Sequence, residues 1–122
     1  MKLRIKGNSI RIRLSKTEVD ELVSGSPLND STSFGDISLN YKVQPVSSGD
    51  ELTASYREHV INLYVPEALL AGWTVNSVVG FESLMPLGRS EHLRLLLEKD
   101  FKCLDKTMED QTDFFDNPAK TC

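Results

Sequence analysis

The chain is poor in the residues on which catalysis at neutral pH leans. It holds two histidines, His59 and His92, and two cysteines, Cys103 and Cys122, in 122 residues. The cysteines are 19 apart, with no Cys-x-x-Cys pair and no histidine near either, so the spacing supports neither a zinc site nor a cysteine nucleophile with a histidine base. Gly-x-Gly-x-x-Gly, a phosphate loop, Gly-x-Ser-x-Gly and His-Glu-x-x-His are all missing. The expectation is a protein that is not an enzyme, with no cofactor and no metal. No apolar run approaches the ~20 residues of a membrane-spanning helix. The opening Met-Lys-Leu-Arg-Ile-Lys has no apolar leader core, which points to a bacterial-type cytoplasmic setting with both cysteines as thiols.

Acid is the other local absence. Residues 1–16 carry Lys2, Arg4, Lys6, Arg11, Arg13 and Lys16 without one carboxylate. The far end is the reverse: residues 98–122 hold seven acids against four lysines. Ends of opposite sign can pair with each other, or each can serve a separate partner. The acids around Glu109 and Asp110 lack the alternating ligands and central glycine of a calcium loop.

Hydropathy supplies the elements. Leu3 and Ile5, then Ile10, Ile12 and Leu14, alternate on either side of a Gly7-Asn8 break, which predicts two half-buried strands. Ser15 with Glu18 forms a capping box, and Val19, Leu22 and Val23 give the stripe of a short helix. Residues 28–32 read as a polar loop. Ile37, Leu39, Tyr41 and Val43 alternate as a strand, with Glu51 to Tyr56 expected to return as its hairpin partner. Val60 to Val65 is a further strand, and Pro66-Glu67-Ala68 opens a second short helix with Trp73 as a core plug. Val75 to Leu84 and Leu93 to Lys99 read as a last hairpin around Pro86 to Ser90.

Two halves emerge, about 1–55 and 56–100. Ile10-x-Ile12-x-Leu14-Ser15-Lys16 sits over Ile61-x-Leu63-x-Val65-Pro66-Glu67, and each half runs strand, helix, strand, strand. The predicted fold is α+β: a small antiparallel β-barrel of two pseudo-symmetric strand-helix-hairpin halves forming a single domain, followed by an acidic tail over 101–122.

Lys6-Gly7-Asn8-Ser9-Ile10-Arg11-Ile12-Arg13-Leu14 resembles the opening of AbrB-like swapped-hairpin domains, found in transition-state regulators and antitoxins. Ser15 stands where that family usually has proline, and Pro66 restores it in the second half. The resemblance covers roughly residues 2–25 and 58–99. It implies DNA contacts from Arg4, Lys6, Asn8, Arg11 and Arg13, since cations on one rigid face can replace counterions along successive phosphates. It also implies a tail that docks on a partner protein through Phe101, Leu104, Met108, Phe114 and Phe115, whereas the continuation of the last strand into Phe101, Cys103 and Leu104 favours a tail packed on the chain's own barrel. The run from Leu96 to Leu104, with the acids and Phe115-Asp116-Asn117-Pro118 behind it, is similar to a bacterial protein family of unknown function, which implies no activity. The function expected first is therefore a binding or regulatory module acting through protein contacts, as monomer or homodimer. A DNA-binding regulator is the alternative.

Overall fold

The computed structural model describes residues 1–101. Both cysteines and four tail anchors (Leu104, Met108, Phe114 and Phe115) lie outside the described residues.

The first hairpin forms as its alternation dictates. Strands β1 (Lys2–Ile5) and β2 (Ser9–Leu14) pair antiparallel with Ile5 opposite Ile10. Gly7 takes the left-handed backbone of the turn, at φ +54°. Helix α1 (Lys16–Val23) starts on the predicted box: the Glu18 amide donates to Ser15 Oγ at 3.3 Å, and the Ser15 amide donates to Glu18 Oε1 at 2.9 Å. Next come β3 (Leu28–Ser33), β4 (Ser38–Val46), β5 (Thr53–Arg57) and β6 (Val60–Pro66). Helix α2 (Glu67–Leu70) has no side-chain cap, and β7 (Gly80–Gly88) and β8 (Glu91–Lys99) follow it.

Pairing departs from the expectation. Two open four-stranded sheets, ordered β1-β2-β8-β7 and β3-β4-β6-β5, stand in place of one closed antiparallel barrel. No ladder joins them among the described residues. Each sheet has a parallel pair at its centre, β2 with β8 and β4 with β6, and an antiparallel hairpin on either side. Alternation assigns a face to each residue but does not choose the neighbouring strand, so the hairpins exchange partners unseen by the sequence reading. The expected return of Glu51 to Tyr56 onto β4 is accordingly wrong: β5 pairs with β6. The expected loop at 28–32 is strand β3, whose polar sequence is held by its ladder to β4. Val75, Val78 and Val79 lie before β7 and are exposed rather than stranded.

One core joins the inner faces. Ile12, Leu14, Leu95 and Leu97 from one sheet meet Val43, Leu63 and Val65 from the other, with α1 supplying Val19 and Leu22. Trp73, three residues past α2, is fully buried, donates Nε1–H to the Val78 carbonyl at 2.9 Å and packs on Phe81 at 4.9 Å. Two contacts tie the sheets together: Ser83 Oγ donates to the Leu52 carbonyl at 2.8 Å, and the Ala54 amide meets Met85 Sδ at 3.3 Å. The helices follow the C-terminal ends of β2 and β6. The opposite ends of those strands have no helix over them among the described residues.

Candidate functional site

Ile5, Ile10 and Leu93 face a space of about 460 Å³ at those uncovered strand ends, together with Leu39, Tyr56, Ile61, Met85 and Leu87. These residues come from both sheets and sit where the core would continue if a further element closed it. Instead Tyr56 is 65% exposed, Ile5 55% and Leu87 47%. Leaving so many large apolar side chains wet at one place opposes the hydrophobic effect, and such patches mark interaction sites.

The other face of the same strand ends is cationic. Lys6, Ser9 and Arg94 neighbour Ile5, Ile10 and Leu93 along the chain, and they line a cleft of about 170 Å³ with Arg4 and Arg11. Arg4 stands opposite Arg11 and Lys2 opposite Arg13 on the β1–β2 ladder. Parallel pairing sets Ser9 beside Arg94 and Arg13 beside Glu98. Four of the five residues expected from the resemblance, Arg4, Lys6, Arg11 and Arg13, are thus brought onto one face. Asn8 is engaged otherwise: its Nδ2 donates to the His92 carbonyl at 2.6 Å and its carbonyl accepts from the Arg94 amide at 3.1 Å. It fastens the first turn to β8.

Carboxylates already hold much of this face. Glu98 Oε1 lies 3.1 Å from Arg11 Nε and 3.6 Å from Arg13 Nε, and Arg94 Nε donates to Glu82 at 2.7 Å. The Arg11 Nε is buried and makes no hydrogen bond, so its pairing with Glu98 is a Coulomb contact of poor direction. The hydrogen bond from Arg94 holds the Glu82 carboxyl below its usual range and raises the guanidinium in return. Lys2 Nζ sits 2.7 Å from Asp100. Arg94 was missed by the sequence reading. Its one signal was its place between Leu93 and Leu95 in the strand predicted after the Pro86 to Ser90 turn.

Sheet β3-β4-β6-β5 presents a different surface, a shallow concavity of about 710 Å³ whose lining includes Asn29, Ser31, Asn40, Lys42 and Asn62. Of the expected tail anchors, only Phe101 is described. It is 62% exposed and borders a cleft of about 380 Å³ with Leu14, Val19 and Thr74, at the helix end of the molecule.

Comparison with known proteins adds one fact. The chain belongs to DUF7009, a family of unknown function whose model matches residues 1–119. This agrees with the similarity to a family of unknown function noted from the sequence. No curated protein and no solved structure matches the chain. The DUF7009 match assigns no activity, so the reading of the site rests on the apolar opening and the cationic cleft behind it.

Proposed function

We propose that this protein is a non-enzymatic binding module acting through protein contacts, and that it docks partners at the apolar opening between its sheets. The observation that carries the reading is the convergence of Ile5, Tyr56 and Leu87, each 47–65% exposed, on one cavity whose lining residues Ile10, Met85 and Leu93 pack against the core. Charge narrows the partner. The Arg4, Lys6 and Arg94 cleft lies across a single sheet from that cavity, on the same strand ends. A segment with large apolar side chains flanked by acids matches both surfaces at once, the apolar part anchoring and the acids steering.

A displayed library of random peptides tests this. Selected peptides are expected to pair aromatic residues with neighbouring Asp or Glu, and to lose binding to Leu87→Lys and Tyr56→Asp variants that melt normally. Enrichment of basic peptides, or binding untouched by both variants, would overturn the proposal.

A second reading is DNA binding by a swapped-hairpin arrangement within one chain. It is favoured by the shared strand pattern: exchanging β1-β2-α1-β3-β4 with β5-β6-α2-β7-β8 converts one sheet order into the other. The parallel registers correspond as well, with Ile12 beside Leu97 and Leu63 beside Val43. On this reading the halves are related by a pseudo-twofold axis, and the first hairpin contacts phosphates. Weighing against it, the second hairpin carries Thr53, Ser55 and Arg57 where the first carries several cations. Gel shifts of random duplex DNA at low salt decide it: affinity falling steeply with salt supports DNA binding, and no shift removes it.

A further inference from the structure

We propose that the chain's own residues 105–116 occupy the docking surface in cis, laying their acids on the cationic face and Phe114-Phe115 in the apolar opening. The inference rests on the docking surface proposed above and names its resident occupant.

Composition is the first argument. Residues 105–116 carry five carboxylates (Asp105, Glu109, Asp110, Asp113 and Asp116) against Lys106 alone. The face they would cross carries Arg4, Lys6, Arg11, Arg13 and Arg94 against Glu82 and Glu98. The sum of charges is opposite on the two sides even with the existing ion pairs in place. The adjacent aromatics Phe114 and Phe115 have an acid on each flank, Asp113 and Asp116. That is the pattern the neighbouring apolar and cationic clefts select.

Geometry is the second. The described chain leaves β8, between β2 and β7, at the strand end far from the apolar opening, where Asp100 pairs with Lys2 at 2.7 Å. Returning along the nine residues of β8 to the apolar opening requires roughly 30 Å at strand rise. The 13 residues from Phe101 to Phe114 reach about 43–47 Å when extended. Leu104 is too close to the start to arrive there, whereas Phe114 and Phe115 reach with slack. A tethered segment acts at an effective concentration near millimolar, so it would screen the surface from weak partners and yield to tight ones.

The test uses full-length protein and a synthetic peptide of residues 105–118. The Phe114→Ser/Phe115→Ser variant should bind the peptide at least tenfold more tightly than the unaltered chain, whose own segment competes. In a Cys103→Ser/Cys122→Ser background, Leu87→Cys with Phe115→Cys should oxidise to an intramolecular disulfide in monomers at micromolar protein. Replacing Glu109, Asp110 and Asp113 by lysine should slow that oxidation several-fold. A disulfide forming only between chains would overturn occupancy in cis in favour of a second copy. A peptide that binds neither protein, while library peptides still bind the opening, would sink this inference and leave the docking surface standing. Failure of the library peptides too would remove both.

Discussion

The outer faces of the two sheets share a scaffold and differ in chemistry. In the parallel pairs, Arg13 stands beside Glu98 in one sheet and Tyr64 beside Gln44 in the other. The charged face is held by ion pairs on Glu98 and Glu82. The other, where polar amides and hydroxyls outnumber charges, is held by Gln44 Nε2 donating to Asn62 Oδ1 at 3.0 Å and by a Ser55–Tyr64 hydroxyl contact of 2.9 Å. Both inner faces are apolar, and both are buried away from the opening at Ile5, Tyr56 and Leu87. The two sheets are thus alike at their inner positions and differ at their outer ones.

The largest effect should come from the inner positions, where the sheets are alike. Leu97→Ala and Leu63→Ala each truncate a side chain that is at most 1% exposed, and each should cost about 3 kcal/mol. Urea midpoints would show it. A cost under about 1 kcal/mol for either one would break the equivalence of the sheets as core partners.

Gly80 sharpens the contrast from the backbone side. A Cβ there would lie 2.3 Å from the Leu97 carbonyl oxygen and 2.8 Å from Glu98 Cα. Both obstacles are backbone and cannot swing away. Gly80→Ala should cost about 2–3 kcal/mol, and it should loosen β7 from β8 more than it disturbs the other sheet. Amide exchange that rises in β3 and β4 as much as in β7 would contradict this.

Next comes the charged face itself. Glu98→Gln puts in one sheet the residue type that Gln44 supplies in the other, and takes the carboxylate from both Arg11 and Arg13. These groups are partly exposed, so the loss of stability should be about 1 kcal/mol. Retention on a heparin column should move to higher salt, because the face loses one negative charge and two guanidinium groups lose their carboxylate partner. Unchanged retention would mean the face does not present those cations to polyanions.

These positions also show what was legible in the sequence. Ile12, Leu14, Leu63 and Val65 were readable as core because local alternation alone sets their facing. The Ser15–Glu18 box was readable because it closes within one turn. Strand β3 was not, since Asn29 to Ser33 owe their extended state to β4 and not to their own propensity. Val75 to Val79 misled because β-branched residues suggest a strand whether or not an edge is there to receive them. The apolar opening was hidden for a related reason: Ile5, Leu39 and Leu93 each look like an ordinary inner-face residue. Only the pairing of distant strands shows that nothing described covers them. Arg94 joined the cationic face by the same nonlocal step.

The smallest expected effect contrasts the helices. Helix α1 has a reciprocal cap and α2 has none. Burial works to raise the Glu18 carboxyl. It is nonetheless held below its usual range by the Met1 ammonium, 2.7 Å away, and by hydrogen bonds from Ser15. A depressed carboxyl binds its proton less readily folded than unfolded. Its stabilising share is therefore complete above the unfolded value near 4.3 and disappears as pH falls through the folded value. Glu18→Gln should lower stability by about 0.5–1 kcal/mol at neutral pH. It should also flatten the acid limb of the melting curve below about pH 4.3, because the group that titrates there is gone. Glu67→Gln, in the first turn of the uncapped helix, should do neither to a measurable extent. Equal losses from the two substitutions would show that first-turn charge alone, and not the reciprocal cap, accounts for the effect.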